Sequence, residues 1–203
     1  MAAVALVLYC VYLLLAFGLR TLIQLRRTGS TGFHGLGGRP GSAEWIAGAG
    51  FTLALALGAA APVLALLGLV EPITALDSAG LHIAGLALAL AGIGLTFYAQ
   101  VAMGTSWRIG VDPAERTELV TSGPFALVRN PIFAAMTPTA LGLTLLVPSP
   151  VALAGLAGLV VALELQVRVV EEPYLVRAHP GTYPAYAARV GRFVPGVGLL
   201  RGG

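Results

Sequence analysis

Four ionisable side chains near the end of a long apolar stretch are the residues most suited to chemistry: Glu164, Arg168, Glu171 and Glu172. Steps of three and four residues predict that they share one helical face. Ionisable groups in membrane helices are costly and usually pair while facing the protein interior. The cluster therefore predicts a ligand clamp, in which Arg168 holds an anionic group and Glu172 or Glu171 a cationic one. The alternative is a salt-bridged helix end at the lipid headgroups.

The segment 117–133 is the second candidate for a functional site. Asn130 and Pro131 predict a helix start, with proline at the first helical position and Asn130 as a cap. Phe125 and Phe133 could line a pocket or serve as ordinary anchors at the membrane interface.

The C-terminal tail is the third candidate. Tyr183, Tyr186, Val190 and Phe193 recur at steps of three and four residues, with arginines between them. This spacing predicts an amphipathic cytoplasmic helix against the membrane, either as an anchor or as a pocket wall.

The chain that must position these groups is too apolar for a soluble domain. Of its 203 residues, 57% are hydrophobic and 10% are charged, whereas an average soluble domain is about 25% charged. This composition excludes a soluble enzyme, a disordered chain and a nucleic-acid binder with a basic face. A single cysteine, Cys10, excludes a disulfide framework and a Cys-ligated zinc site. The three histidines show no ligand spacing, so we predict no metal site.

Uncharged runs cover residues 1–19, 45–70, 81–101 and 131–163. About 20 apolar residues cross a bilayer as a helix, so each of the first three runs predicts one span. The fourth extends as helix to about residue 170, roughly 60 Å, which is enough for two crossings. Proline and serine at 148–150 supply the turn between them. The sequence thus predicts an all-α integral membrane protein with five transmembrane helices, the last two forming a hairpin.

Two halves follow from these spans: a three-helix transmembrane half, residues 1–103, and a catalytic half, residues 104–203. With five spans, all twelve basic residues, which are arginines, fall on one side. The positive-inside rule makes the loops at 26–43 and 104–130 and the tail cytoplasmic, and places the N-terminus outside the cell membrane. The outer loops are short, so we expect any chemistry on the cytoplasmic side.

Three weaker features of the sequence can each be interpreted in two ways. Trp107 reads as an interfacial anchor or as a pocket wall. The glycine-rich stretch 35–42 is typical of a flexible loop, with a lid as the alternative. Small residues in spans two and three suit close helix packing, within the chain or in a homodimer.

The second and third candidate segments together resemble the isoprenylcysteine carboxyl methyltransferase family, integral-membrane enzymes related to phospholipid N-methyltransferases. The stretches that match the family pattern, in order and spacing, are LVTSGPF (119–125), RNPIF (129–133), RVVEE (168–172) and YPAYAARVGRFVP (183–195). The resemblance covers about residues 104–195.

The resemblance implies S-adenosylmethionine as cofactor, in a site formed by the third loop, the helix starts and the tail. It carries the substrate-carboxylate arginine over to Arg168. It also carries cofactor contacts over to Thr117, Glu118, Leu119, Val120, Phe125, Asn130, Pro131, Ile132, Phe133 and Glu172.

Three family positions differ here. Asn130 replaces a histidine, and Phe125 and Phe133 replace tyrosines. Stacking on adenine survives this change, but hydrogen bonding to the cofactor must differ. These three replacements argue against an isoprenylcysteine, the substrate after which the family is named.

Methyl transfer from a sulfonium is an in-line displacement that needs positioning and a dry pocket. A carboxylate acceptor requires no base, whereas an amine or thiol requires one, for which Glu171 or Glu164 is the candidate. We expect an S-adenosylmethionine-dependent methyltransferase whose substrate is lipophilic or small, with a carboxylate such as an isoprenylcysteine-like group as the first candidate acceptor. We expect this substrate to enter laterally from the bilayer, with membrane lipids as surroundings and no nucleic acid as partner. The alternatives are an amine, thiol or phospholipid methyltransferase of the same architecture, or a non-enzymatic membrane scaffold. A transporter is disfavoured because no internal repeat is evident.

Overall fold

The computed structural model describes residues 1–33, 35, 37–108 and 118–200. Its described part is helical, with short 3₁₀ turns between the helices and an isolated parallel bridge between Val128 and Gly191. The helices are α1 (Ala2–Thr28), α2 (Ala43–Leu66), α3 (Ala79–Ala102), α4 (Pro131–Leu146), α5 (Pro150–Ala178) and the short α6 (Thr182–Ala187).

Four of the helices are long and apolar enough to cross a membrane: α1, α2, α3 and α5, with 24 to 29 residues each. At about 1.5 Å per residue, even 24 residues exceed a hydrocarbon core of roughly 30 Å. The prediction of a multi-span helical membrane protein is thus confirmed. Helix α4 has 16 residues, or about 24 Å, so its length does not establish the fifth predicted span.

Large apolar side chains point away from the bundle along these helices. Ile83 exposes 71% of its surface, Leu14 67% and Leu53 60%. Exposed apolar surface of this extent suits contact with lipid rather than water. The buried centre of the bundle is a cluster that comprises Tyr12, Ala16, Ala54, Ile93, Met136, Leu159 and Leu163.

The helix boundaries follow from local chemistry. The hydroxyls of Ser42, Ser78 and Ser149 each accept a hydrogen bond from a backbone N–H in the first turn of α2, α3 and α5, at 3.2 to 3.4 Å. Proline occupies the first position of α4 and of α5, where its missing N–H costs nothing.

The predicted turn at 148–150 lies between α4 and α5, which end and begin at Leu146 and Pro150. The arms of this pair mostly pack against other helices, α4 along α3 and α5 along α2. Glycine permits the first contact: a Cβ on Gly142 would lie 2.4 Å from the backbone nitrogen of Ala89. The small residues expected to mediate close packing therefore do so within the chain, and a homodimer stays a prediction.

Two helices contain a π-helical segment, Leu14–Leu19 in α1 and Gln166–Glu171 in α5. Such a segment adds a residue to the turn and changes the direction of the side chains that follow it. The second one falls among the four ionisable residues of the predicted clamp.

Candidate active site

A buried ion-pair cluster joins the start of α4 to the end of α5 and to the tail. The Arg129 side chain is 1% exposed, and its Nη2 donates to Glu172 Oε1 at 2.5 Å. Arg192 donates through Nε and Nη2 to the two oxygens of Glu172, at 2.9 and 2.8 Å. This hydrogen bonding to Glu172 raises the pKa of Arg192 above its usual value. Both carboxylate oxygens of Glu172 are therefore engaged by arginines.

The tail is also tied to α4 through its backbone. The N–H groups of Arg129 and Asn130 donate to the carbonyls of Gly191 and Arg192, at 2.8 and 3.0 Å. The Asn130 side chain donates to the same Arg192 carbonyl at 3.2 Å. Asn130 stands at the cap position of α4, but its side chain makes no capping hydrogen bond. The capping interpretation was wrong: the side chain is hydrogen-bonded through its NH2 group to the tail, and its oxygen caps no N–H of α4.

The tail tyrosines face inward. Tyr183 and Tyr186 are 2% and 6% exposed, and Tyr186 Oη donates to the Phe125 carbonyl at 2.5 Å. Burial raises the pKa of both phenols to about 12. Helix α6 has only six residues, Thr182–Ala187, so the tail helix is shorter than predicted. Its two tyrosines line a cavity, so it forms a pocket wall, one of its two predicted roles.

A cavity of about 770 Å³, called here the main cavity, lies between the helices and these loops. Its volume falls in the range of small-molecule sites, about 300 to 1,000 Å³. The structure brings most of the predicted cofactor residues to its wall: Glu118, Leu119, Val120, Phe125, Asn130, Pro131, Ile132 and Phe133. Thr117 lies outside the described residues. Glu172 is not on the wall.

The four ionisable residues of the predicted clamp do not share a face. Glu171 lines the main cavity, beside Arg108 and Gln166. Arg168, whose side chain is 58% exposed, pairs with Glu164 at 2.5 Å and lines no part of this cavity. The single-face interpretation was wrong because the π-helical segment Gln166–Glu171 breaks the regular phase that it assumed.

Several wall residues come from the N-terminal half, where the glycine-rich stretch, with a lid as one alternative, was the sole feature with a predicted site role. They include Tyr12 and Phe17 on α1, Phe33, and Glu44, Phe51 and Leu55 on or near α2. The glycine-rich stretch contributes Gly35, Gly37 and Gly38. An apolar sequence pattern cannot separate a cavity wall from a lipid-facing surface. A usable signal was the polar hydroxyl of Tyr12 within a span.

Trp107, interpreted as an anchor or a pocket wall, is a wall residue: it is 3% exposed and lines the main cavity. The guanidinium of Arg20, itself 1% exposed, lies 4.6 Å from the centre of its ring. Arg20 also donates to the carbonyls of Gln100 and Gly104, and Gln24 donates to that of Thr105 at 2.8 Å. Helix α1 therefore holds the end of α3 and the residues that follow it in place.

Together, the fold and the site describe a multi-span helical membrane protein with a small-molecule cavity at the ends of its helices. Charged residues line the loop side of this cavity, and apolar side chains line the bundle side. This combination defines a class, helical membrane proteins with a cavity large enough for a small molecule.

Comparison with known proteins identifies the chemistry. Residues 81–181, about half of the chain, match the family described as phospholipid methyltransferase. The chain thus belongs, through this segment, to the phospholipid methyltransferase family of membrane methyltransferases, which is related to the isoprenylcysteine carboxyl methyltransferases. Family members generally use S-adenosylmethionine. No curated protein and no solved structure matches the chain significantly.

Proposed function

We propose that this protein transfers a methyl group from S-adenosylmethionine to the amine of a lipophilic substrate within the membrane. The observation that carries the proposal is the main cavity, which runs from charged residues at the loops to apolar residues between α1, α2 and α4. Such a cavity suits a substrate with a polar reacting end and an apolar body.

The lining of the cavity fits the cofactor. Phe125 and Phe133 offer aromatic faces for adenine, and Leu119, Val120 and Ile132 offer apolar contacts beside them. When bound, S-adenosylmethionine supplies an activated methyl group on a sulfonium sulfur. The chain's own residues then have to orient the acceptor and exclude water.

The charged side chains on the cavity wall favour an amine as the methyl acceptor. Glu171 lines the cavity and is partly buried. A carboxylate there attracts an ammonium group and accepts the proton that the amine must lose before it can attack a methyl group. Arg129, by contrast, is occupied by Glu172 and by backbone carbonyls. The guanidinium of Arg108 lies 5.0 Å from the centre of the Tyr174 ring, in a cation–π contact.

A carboxylate acceptor is the second candidate, favoured by one observation. Arg177 lies on the wall of the main cavity and is exposed, so it can bind an anionic group. Arg168, the family's substrate arginine by resemblance, lies off this wall, beside Glu164. If the acceptor is a carboxylate, Arg177 binds it in place of Arg168, to which the resemblance assigned this contact.

The proposal includes five spans, with the arginine-rich loops and the tail in the cytoplasm. Arginines outnumber acidic residues around the loops that border the cavity, as the positive-inside rule requires. A 16-residue α4 crosses if the bilayer thins locally or flanking residues reach the interface. The cofactor site then faces the cytosol, and the lipophilic substrate enters from the bilayer.

The test is transfer of a labelled methyl group from S-adenosylmethionine to extracted membrane lipids by the purified protein. We expect label that stays non-volatile after mild alkali, because N-methyl groups are stable even when acyl esters are cleaved, whereas carboxyl methyl esters release volatile methanol. Volatile label supports the carboxylate candidate. No labelled lipid at all contradicts both.

Glu171→Gln tests the base. We expect at least about a 100-fold loss of amine methylation, in the range that general acid–base groups contribute, while cofactor binding persists. Glu164→Gln is the matched control, because Glu164 pairs with Arg168 away from the cavity. Equal activities of the two variants would exclude Glu171 as the base.

A further inference from the structure

Tyr12 carries a polar group in the apolar middle of the bundle. It is 4% exposed, and its hydroxyl has no hydrogen-bond partner among the residues that the structure describes. Its ring packs edge-on to Phe17, with 6.3 Å between ring centres, which fixes its direction. Buried hydroxyls in native proteins are nearly always hydrogen-bonded, so an exception calls for an explanation.

The position of Tyr12 suggests that a ligand is the missing hydrogen-bond partner of its hydroxyl. Tyr12 lines the main cavity and also a narrow apolar slot of about 50 Å³ between α1, α2, α4 and α5. Met136 lines both spaces as well. The Tyr12 hydroxyl is covered in this structure, and methionine side chains repack easily. A ligand that extends from the main cavity toward the slot therefore passes Tyr12 and Met136, and repacking of Met136 can make room for it.

A water inside the slot would need two to four polar partners, and the other hydroxyls of the slot already donate to backbone carbonyls. Polar side chains at the slot already have partners. Thr139 and Thr144 donate to the carbonyls of Ala135 and Ala152, and Tyr9 donates to the Leu55 carbonyl at 2.5 Å. Tyr12 is the residue there whose hydroxyl stays unused in the described part of the chain.

Depth in the membrane indicates what Tyr12 contacts. It precedes Arg20 by eight residues on α1, which corresponds to at most about 12 Å along the helix at the α-helical rise, since Leu14–Leu19 between them is π-helical. The Arg20 guanidinium lies 4.6 Å from the ring centre of Trp107, and Trp107 lines the main cavity, as do Arg108 and Glu171. In an extended glycerophospholipid amine, about nine bonds separate the nitrogen from an acyl carbonyl, roughly 11 Å. The two lengths agree.

We propose that Tyr12 Oη donates a hydrogen bond to the acyl ester carbonyl of the substrate, so that the enzyme prefers ester-linked over ether-linked lipid amines. This inference rests on the proposed function and specifies its substrate class. An ether lipid has the same headgroup and apolar body but no carbonyl to accept the bond. Tyr12 thus selects ester-linked over ether-linked lipids without contacting the amine that is methylated.

The test compares a diacyl and a dialkyl lipid amine of identical headgroup and chain length. We measure their dissociation constants by native mass spectrometry of the detergent-solubilised protein, and kcat/KM wherever turnover is seen. Wild-type protein should favour the ester lipid by about 5- to 10-fold, the ratio that one net hydrogen bond provides. Tyr12→Phe should abolish this preference by weakening the ester lipid alone.

Tyr9→Phe is the matched control, because its hydroxyl is already bound to Leu55. It should lower the melting temperature and keep the ester preference, whereas Tyr12→Phe should not lower the melting temperature. A wild-type ratio near one, or an unchanged ratio in Tyr12→Phe, overturns the proposal. If neither lipid is methylated, the proposed function fails, yet the binding ratio still decides the role of Tyr12.

Discussion

At the scale of single residues, Glu172 acts by holding the site together. Its carboxylate neutralises two arginines, Arg129 and Arg192, from different segments of the chain. The sequence indicated that Glu172 matters, but its spacing to Arg168 suggested a ligand contact. Its true partners lie 43 and 20 residues away along the chain, and no local pattern predicts such distant pairs.

Replacing Glu172 should therefore unfold the site. Glu172→Gln leaves a buried arginine charge without its partner, which typically costs about 3 to 5 kcal/mol. We expect a clear drop in the melting temperature in detergent. Glu164→Gln should change it little, because exposed ion pairs contribute about 0 to 1 kcal/mol. Should Glu172→Gln keep its melting temperature and lose only cofactor binding, Glu172 would be a ligand after all.

At the scale of helices, the apolar runs and prolines predicted the elements well. The runs at 1–19, 45–70 and 81–101 became α1, α2 and α3, and the turn at 148–150 separates α4 from α5. The π-helical segments escaped prediction because their residues fit an ordinary helix equally well. They matter for the site, since the segment Gln166–Glu171 turns Glu171 into the cavity while Arg168 points elsewhere.

The close approach of α3 and α4 gives a prediction at this scale. Gly142→Ala would place a Cβ 2.4 Å from the Ala89 nitrogen, so the helices must separate, at a typical cost of about 1 to 3 kcal/mol. Gly94→Ala, on α3, meets nothing within 4 Å and should be neutral or slightly stabilising. Melting temperatures of both variants check this. Equal values would mean that the two helices are not packed as described.

At the scale of the whole molecule, the scarce charges define the functional side. The composition alone identified a membrane protein, and the order of four motifs indicated a methyltransferase. The contribution of the N-terminal half stayed hidden. Tyr12, Glu44 and Phe51 reach the main cavity through the packing of α1 and α2, and tertiary packing of apolar helices leaves no local signature.

Topology can be checked with single cysteines in a Cys10→Ser background. In the five-span arrangement, Asp77→Cys lies outside and Arg189→Cys in the cytoplasm, because an odd number of crossings separates the tail from the N-terminus. A membrane-impermeant maleimide should therefore label the first in intact cells and the second in inside-out vesicles. Labelling of both from one side would mean that α4 does not cross.

The central claim is that the main cavity binds S-adenosylmethionine, and calorimetric titration of the purified protein in detergent tests it most directly. We predict saturable binding with one cofactor per chain, retained in Glu171→Gln and Tyr12→Phe. Absence of binding by the folded wild-type protein, at cofactor concentrations up to about millimolar, the weak end of specific affinities, would contradict the account.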